Sequence, residues 1–288
     1  MSQNPLEEWV QRVTDASLPF VAQNGAHGWL LKQSIYTHFP RLATLLAMPW
    51  FQTLSGSVLD VGAGTGALSL DLAWRAGGNG HVTAVDRDGE ALAIARTLAE
   101  RVGVKIEALT GEATALPVAD ASQDTIVARF VFQHLPDPLA ALREMRRVAR
   151  PGGRIAIFDV DDEVTLCEPP EPQCVVDLHK AIRTLQSQRG GNRLMGRHLY
   201  RLMHEAGLTN IQVIVIPRVQ LGVQNGRSAE AEAYQIERLL REREALIDSG
   251  LMTASDFDLA VAETQRGFAE DRFDMAAEFI ATGYAPAA

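Results

Sequence analysis

Val58-Leu59-Asp60-Val61-Gly62-Ala63-Gly64-Thr65-Gly66 is a short apolar run that breaks into a glycine turn and leads into a helical stretch, Ala67 to Ala76. A turn of this kind exposes bare backbone against which a nucleotide-like ligand can press. Outward from it, apolar strand patterns alternate with helical ones. Strands are expected at Ser57–Val61, His81–Val85, Lys105–Leu109, Thr125–Arg129 and Arg154–Phe158. Between them, Asp88 caps a helix to Arg101, and Pro138–Ala149 forms another that Pro151-Gly152-Gly153 stops. This alternation predicts an α/β fold built on a parallel, doubly wound sheet.

Asp60 decides between ligands. Gly62, Gly64 and Ala67 also satisfy the loose dinucleotide fingerprint G-x-G-x-x-G/A, so spacing alone leaves both readings open. A carboxylate at the strand end repels a pyrophosphate. It suits the ammonium and sulfonium of S-adenosylmethionine (SAM). Asp86 lies twenty residues past Gly66, at the end of the second strand, where an acid can accept both hydroxyls of a ribose; the competing reading is a capping or salt-bridging acid beside Arg87. Glu112-Ala113 follows the third strand, where a side-chain acceptor can take an adenine amine and a backbone N–H can donate to the ring. Taken alone, Glu112 also reads as a solvated loop acid.

The ordered set Val58–Gly66, Asp86, Gly111–Pro117, Asp124–Pro138 and Arg150-Pro151-Gly152-Gly153 resembles class I SAM-dependent methyltransferases. The likeness is strongest to the branch of ubiquinone/menaquinone-biosynthesis C-methyltransferases and natural-product methyltransferases, and it covers about residues 55–160. The family usually has Asp where this chain has the longer Glu112. The resemblance implies a Rossmann-like seven-stranded sheet. Its last strand, 274–284, would insert antiparallel between strand five and a strand at Asn210–Ile216. Helical segments at both ends would cover the core, giving a cap at 1–55, the SAM-binding core at 56–217, a helical insertion at 218–273 and the final strand at 274–288. It further implies that Asp60, Gly62, Ala63 and Gly64 line the methionine part of the cofactor, that Asp86 with Arg87 lies at the ribose, and that Glu112 and Ala113 hold adenine. Arg129 and Phe130, with Ala128, would sit near the sulfonium. Tyr36, on the N-terminal helices, either hydrogen-bonds the SAM carboxylate or packs in an amphipathic core.

Methyl transfer to an activated nucleophile needs no acid, and a base only where a proton must leave. His134, in Phe132-Gln133-His134-Leu135-Pro136, is the catalytic candidate, since an unperturbed imidazole titrates near neutrality. The same phrase in the family also serves as a plain structural element, with the histidine packed against the next helix or the cofactor. His27, His38, Asp159, His179, Arg193, Arg197 and His198 are weaker candidates for the site's surroundings.

The chain has 288 residues, 47% of them hydrophobic, and a formal net charge of −9. That acidity removes the bulk drive toward phosphate backbones, so no nucleic-acid partner is expected. Cys167 and Cys174, seven apart in a proline-rich stretch, match neither a zinc spacing nor a disulfide framework; no metal is expected. No apolar run reaches membrane-spanning length, so a cytoplasmic protein without stable membrane association is expected. After Asp159 the strand pattern loosens. A helix is expected at Val175–Gln188, another at Met195–Ala206 and two within 228–269, which either cover the acceptor or form a homodimer face. The expected reaction is methyl transfer from SAM to carbon or oxygen of a small, largely apolar acceptor, leaving S-adenosylhomocysteine. The alternative is a SAM-binding protein of this fold that transfers no methyl group or performs another reaction.

Overall fold

A computed structural model describes residues 4–23, 25–39, 42, 45, 48–52, 54–221 and 229–287. Parts of the expected 1–55 cap and residues 222–228 of the expected insertion lie outside the described residues. Seven strands form one sheet: β1 (Gly56–Val61), β2 (Gly80–Asp86), β3 (Glu107–Thr110), β4 (Gln123–Arg129), β5 (Ala149–Glu168), β6 (Thr209–Leu221) and β7 (Phe273–Tyr284). Their order is β3-β2-β1-β4-β5-β7-β6. Strands β1 to β5 pair in parallel, and β7 enters antiparallel between β5 and β6. The order reverses between β1 and β4, and ligands of open α/β sheets settle over the strand ends at such a point.

Strand β1 is buried on both sides because its neighbours alternate outward to two cores. Leu59 and Val61 face helices α6 (Pro138–Val148) and α8 (Leu199–Glu205) through Leu142, Met145, Leu199 and Met203. Val58 faces α4 (Ala67–Ala76) through Leu68 and Leu72, with Phe51 behind. The N-terminal helices α1 (Pro5–Val21) and α2 (Ala26–Gln33) bury Trp9, Val13 and Leu31 against α4 and α5 (Gly89–Val102). Between α2 and β1 the described residues include a π turn, Ser34–His38, and a short helix α3, Pro49–Gln52. At the C-terminal side, α7 (Gln173–Gln188) packs with α9 (Ala229–Leu240), α10 (Arg243–Asp248) and α11 (Ala254–Phe268) around Leu178, Leu185, Leu246 and Phe257.

Several boundaries differ from the expected ones. The third strand begins at Glu107, not Lys105. The fifth does not loosen after Asp159: it continues to Glu168, because its outer half pairs with β7 from Thr165↔Ala276 to Glu168↔Phe273. β6 likewise runs to Leu221. The helix expected at Met195–Ala206 opens with a 3-10 turn, Met195–His198. Among the described residues, three helices, not two, follow residue 228. Cys167 and Cys174 are free thiols. Among the described residues, no helix is long and apolar enough to cross a membrane.

Candidate functional site

The glycine turn sits at the carboxyl end of β1 and is tied to β2. The N–H groups of Gly62 and Ala63 both donate to the Val85 carbonyl, at 2.8 and 3.0 Å. Gly62, Gly64 and Gly66 all hold positive φ, at 73°, 54° and 86°. Beyond that shared geometry their tasks differ. A Cβ on Gly66 would lie 2.7 Å from Ala95 Cβ, so this glycine lets α4 close on α5. A Cβ on Gly62 would collide with Val131, on the loop after β4. A Cβ on Gly64 would meet only Leu30 Cδ1 of α2, at 4.0 Å, so this residue presents backbone to open space. That space is where a ligand can lie.

Asp86 ends β2 and joins two loops to one carboxylate. One oxygen accepts from Gly64 N–H at 2.7 Å and the other from Asp88 N–H at 2.9 Å. The Asp86 carbonyl accepts from Gly111 N–H at 3.0 Å, which brings the Gly111–Pro117 loop alongside. In that loop Glu112 is exposed and bridges Ala115, and Ala113 is half-buried. Arg87 is exposed beside Asp86, whose carboxylate it does not pair. The expected ribose and adenine residues therefore meet on one rim, next to the open backbone of Gly64.

Asp60 lies beneath this turn, 2% exposed, and Ser69 Oγ of α4 donates to it at 2.5 Å. Burial pushes its carboxyl up to about 7; the nearby Asp86 charge adds to the rise, while Ser69 and Arg129 hold it down. No cation pairs with it among the described residues. A cation seated on the turn enters the field of two carboxylates, Asp60 and Asp86. This fits the ammonium and sulfonium of SAM and opposes a pyrophosphate.

Arg129 and Phe130 close the site from β4. Phe130 takes φ +57°, a strained region for a large side chain, held by its N–H donating to the Phe158 carbonyl at 2.8 Å. The Arg129 guanidinium lies over the Phe130 ring, 4.3 Å from its centre. It also donates to Glu278 at 3.3 Å and to His38 Nδ1. His38 in turn donates from Nε2 to Asp71, which accepts from Trp9 Nε1 at 2.6 Å. Burial and the Arg129 charge lower the His38 pKa, so the ring is neutral and this proton arrangement is fixed. Ser69, Asp71 and Glu278 were not singled out from sequence. The signal was present, an acid or hydroxyl inside the apolar runs Leu68–Leu72 and Ala276–Ile280.

Tyr36 stacks on Tyr234 of α9, ring centres 5.1 Å apart, and Trp29 stacks on the same ring at 5.2 Å. The Tyr36 hydroxyl makes no hydrogen bond among the described residues. His27 Nε2 donates to the Asp88 carboxylate at 2.8 Å, and so ties α2 to the start of α5.

His134 occupies a 3-10 turn above β4. Gln186 Nε2 reaches its Nδ1 at 2.7 Å and the Gln133 carbonyl at 3.2 Å. A carbonyl only accepts, so the Gln186 atom is the amide nitrogen, and Nδ1 of His134 must be the acceptor. The ring proton then sits on Nε2, and the one free lone pair is occupied. His134 keeps surface in contact with solvent while dense protein surrounds it. Desolvation, with the Arg193 and Arg87 charges, lowers its pKa to about 4. Asp159, at the same strand ends, is fully buried; its carboxylate accepts from the N–H groups of Gln133 and Val160, at 3.0 and 2.8 Å, and burial raises it to about 7.

Residues 59–157 match the family described as "Methyltransferase domain". Among relatives, an uncharacterized 37.1 kDa transposon protein of Streptomyces fradiae is 32% identical over 69% of this chain and 54% of its own length. The demethylmenaquinone methyltransferase of Thermus thermophilus is 37% identical over 40% of this chain and 49% of its own length. The chain thus spans about half the length of the curated relatives it matches. Of solved structures, a Bacillus halodurans protein assigned as a methyltransferase superposes with TM-score 0.56 at 17% identity, over 86% of this chain and 98% of its own. A 4+2 cyclase superposes with TM-score 0.51 at 21% identity, over 87% and 82%. At these identities the superpositions speak for fold. Residues 59–157 thus match a methyltransferase domain and are similar in sequence to a demethylmenaquinone methyltransferase, and the chain shares the fold of these solved structures.

Proposed function

We propose that this chain binds S-adenosylmethionine on its glycine turn and transfers the methyl group to carbon or oxygen of a small, largely apolar organic acceptor. One observation carries the reading: open backbone at Gly64 beside two carboxylates, Asp60 and Asp86, with no cation paired to Asp60. When bound, SAM supplies a methyl group to in-line attack at the sulfonium carbon and leaves as S-adenosylhomocysteine.

The chain's own contribution is position and field. Gly62, Ala63 and Gly64 offer backbone to the methionine part. Asp86, already oriented by Gly64 and Asp88, keeps lone pairs for ribose hydroxyls. Glu112 and Ala113 flank the adenine position. Arg129 and Phe130 wall the region of the sulfonium, and α2 and α9, joined through Trp29, Tyr36 and Tyr234, exclude water above it. Holding two reactants in line supplies much of the rate in such a transfer. With its lone pair taken by Gln186, His134 positions the loop above β4; the reading assigns it no proton transfer.

Isothermal titration of S-adenosylhomocysteine tests the binding half. Saturable binding is expected, lost in Asp86→Ala; undiminished affinity in that variant contradicts the ribose assignment. Incubation with methyl-labelled SAM and cell extract tests the transfer half. Labelled product is expected. A chain that binds SAM and labels nothing across broad extracts supports the non-transferring alternative, which the 4+2 cyclase's fold keeps relevant.

A further inference from the structure

Four arginines gather on the acceptor side of the sheet, from four segments: Arg129 on β4, Arg193 after α7 and Arg218 on β6, all half-buried, and Arg238 on α9, which is exposed. Two pair with acids. Arg129 donates to Glu278 and His38, its Nη2 left without a partner. Arg193 forks onto Asp162, at 2.6 and 3.0 Å, and donates to Gln133 Oε1 at 2.8 Å.

The other two do not. Arg218 Nε is enclosed with no hydrogen-bond partner. Arg238 makes no hydrogen bond or ion pair among the described residues. Both point to one region. Glu278 pairs with Ile216 across β6 and β7, so Arg218, two residues on, shares its face. Arg238 lies one helical turn beyond Tyr234, which is buried under Trp29 and Tyr36. The Arg218 guanidinium lies in the field of Glu278 first, then of Arg238, Asp162 and Arg129, and Arg238 in that of Arg193, Tyr234, Asp162 and Glu242. Arg238 is exposed, so it reaches this region from the solvent side.

The acids in reach are already engaged. Glu278 accepts from Arg129, Asp162 from Arg193, and Glu242 from Arg189 at 3.1 Å. An arginine does not shed its charge on burial as a lysine does. Two guanidinium groups without a partner thus stand together in a chain whose formal net charge is −9, one of them with an enclosed nitrogen. Such a nitrogen is costly to leave unpaired, and a carboxylate or phosphate is the group whose geometry matches a guanidinium.

We propose that Arg218 and Arg238 form a docking site for an anionic group of the acceptor, a carboxylate or a phosphate. Calling that molecule the acceptor rests on the methyltransferase reading; the anion site itself does not. The handle adds to the apolar body expected of the acceptor.

Inorganic phosphate and benzoate are titrated into the full chain, with and without S-adenosylhomocysteine, and the melting temperature is followed. At least one anion is expected to stabilise the wild type, and which one acts tells phosphate from carboxylate. Arg218→Gln and Arg238→Gln should each weaken the apparent affinity about tenfold or more. Arg201→Gln, which removes an exposed pair with Glu205, should not. Without anion, Arg218→Gln should melt at or above wild type, since an enclosed unpaired nitrogen is gone, and Arg238→Gln at about the wild-type temperature; lower melting marks the arginines as structural and counts against the site. No stabilisation by either anion, or stabilisation that survives both substitutions, overturns the proposal. S-adenosylhomocysteine binding is titrated separately. Its loss with the anion response intact sinks the methyltransferase reading alone, and its presence with no anion response sinks this one alone.

Discussion

Asp60→Asn separates the cost of the buried carboxyl from its use. The side chain is 2% exposed, and its pKa rises from 3.8 to about 7 in the folded chain, chiefly by burial. Asparagine keeps the shape, and its carbonyl can still accept from Ser69. Between pH 3.8 and about 7 the unfolded chain has released this proton while the folded chain retains it, so stability falls as pH rises through that window. Above it the burden of the ionised form is complete, about 4 kcal/mol at 1.36 kcal/mol per pKa unit. The stability advantage of Asp60→Asn over wild type should therefore be about 2–3 kcal/mol larger at pH 8 than at pH 5, read from urea denaturation. Asp159, also raised to about 7, is present in both proteins and cancels. Ligand binding should reverse the preference. A cation on the turn favours ionised Asp60, so S-adenosylhomocysteine binding at pH 7 should release about half a proton in wild type and none through this group in the variant. Titration calorimetry in buffers of different ionisation enthalpy measures this release. Equal stability differences at the two pH values, or wild-type affinity and proton release in Asp60→Asn, would refute the electrostatic argument.

Gly64→Ala and Gly66→Ala should fail differently. The first adds a Cβ into open space at φ +54°, costing about 1–2 kcal/mol of stability but blocking S-adenosylhomocysteine in titrations. The second drives a Cβ to 2.7 Å from Ala95 at φ +86° and should cost about 2–4 kcal/mol, seen in melting temperature. Asp71→Ala leaves the Trp9 and His38 donors unpaired in the core and should cost about 3–5 kcal/mol, with Trp9 fluorescence shifting toward that of a solvated indole. His134→Ala should lower the methyl-transfer rate less than tenfold, since its lone pair already serves Gln186; a loss of about 100-fold or more would restore it as a base.

The sequence reading was best where local signals and burial agreed. The run Val58–Val61 is apolar, bounded by glycine, and buried on both faces, so the strand, the turn and the ligand position could be read directly. Asp86 and the Gly111 loop followed from the same topology. The reading was poorest where partners are distant in sequence. Asp159-Val160-Asp161-Asp162-Glu163 looks like a loop because four acids in five residues disfavour a strand. It is a strand because β7 pairs with Asp159 and Val160 and again from Thr165, and because Arg197 and Arg193 fork onto the intervening Asp161 and Asp162 from the segment after α7. His134 had no such signal, since its acceptor state depends on Gln186, 52 residues away. Arg218 and Arg238 are ordinary in sequence, one in a strand and one in a Glu-rich helix; only the docking of α9 on α2 brings the second toward the first.

The two ends of the proposed reaction path carry opposite charge, and this constrains the acceptor. At the glycine turn the unbalanced groups are carboxylates, Asp60 and Asp86; on the acceptor side they are guanidinium groups, Arg218 and Arg238. A cationic donor at the first relieves the burial of Asp60, and an anionic handle at the second pairs the enclosed Arg218 Nε. The Trp9–Asp71–His38–Arg129–Glu278 chain holds the Arg129 guanidinium on His38 and Glu278, so its charge lowers the Asp60 pKa without pairing with Asp60. A neutral acceptor gains nothing from the second field. Competition between acceptors that differ only by a carboxylate should therefore favour the charged one, and the preference should shrink in Arg238→Gln while S-adenosylhomocysteine affinity stays unchanged.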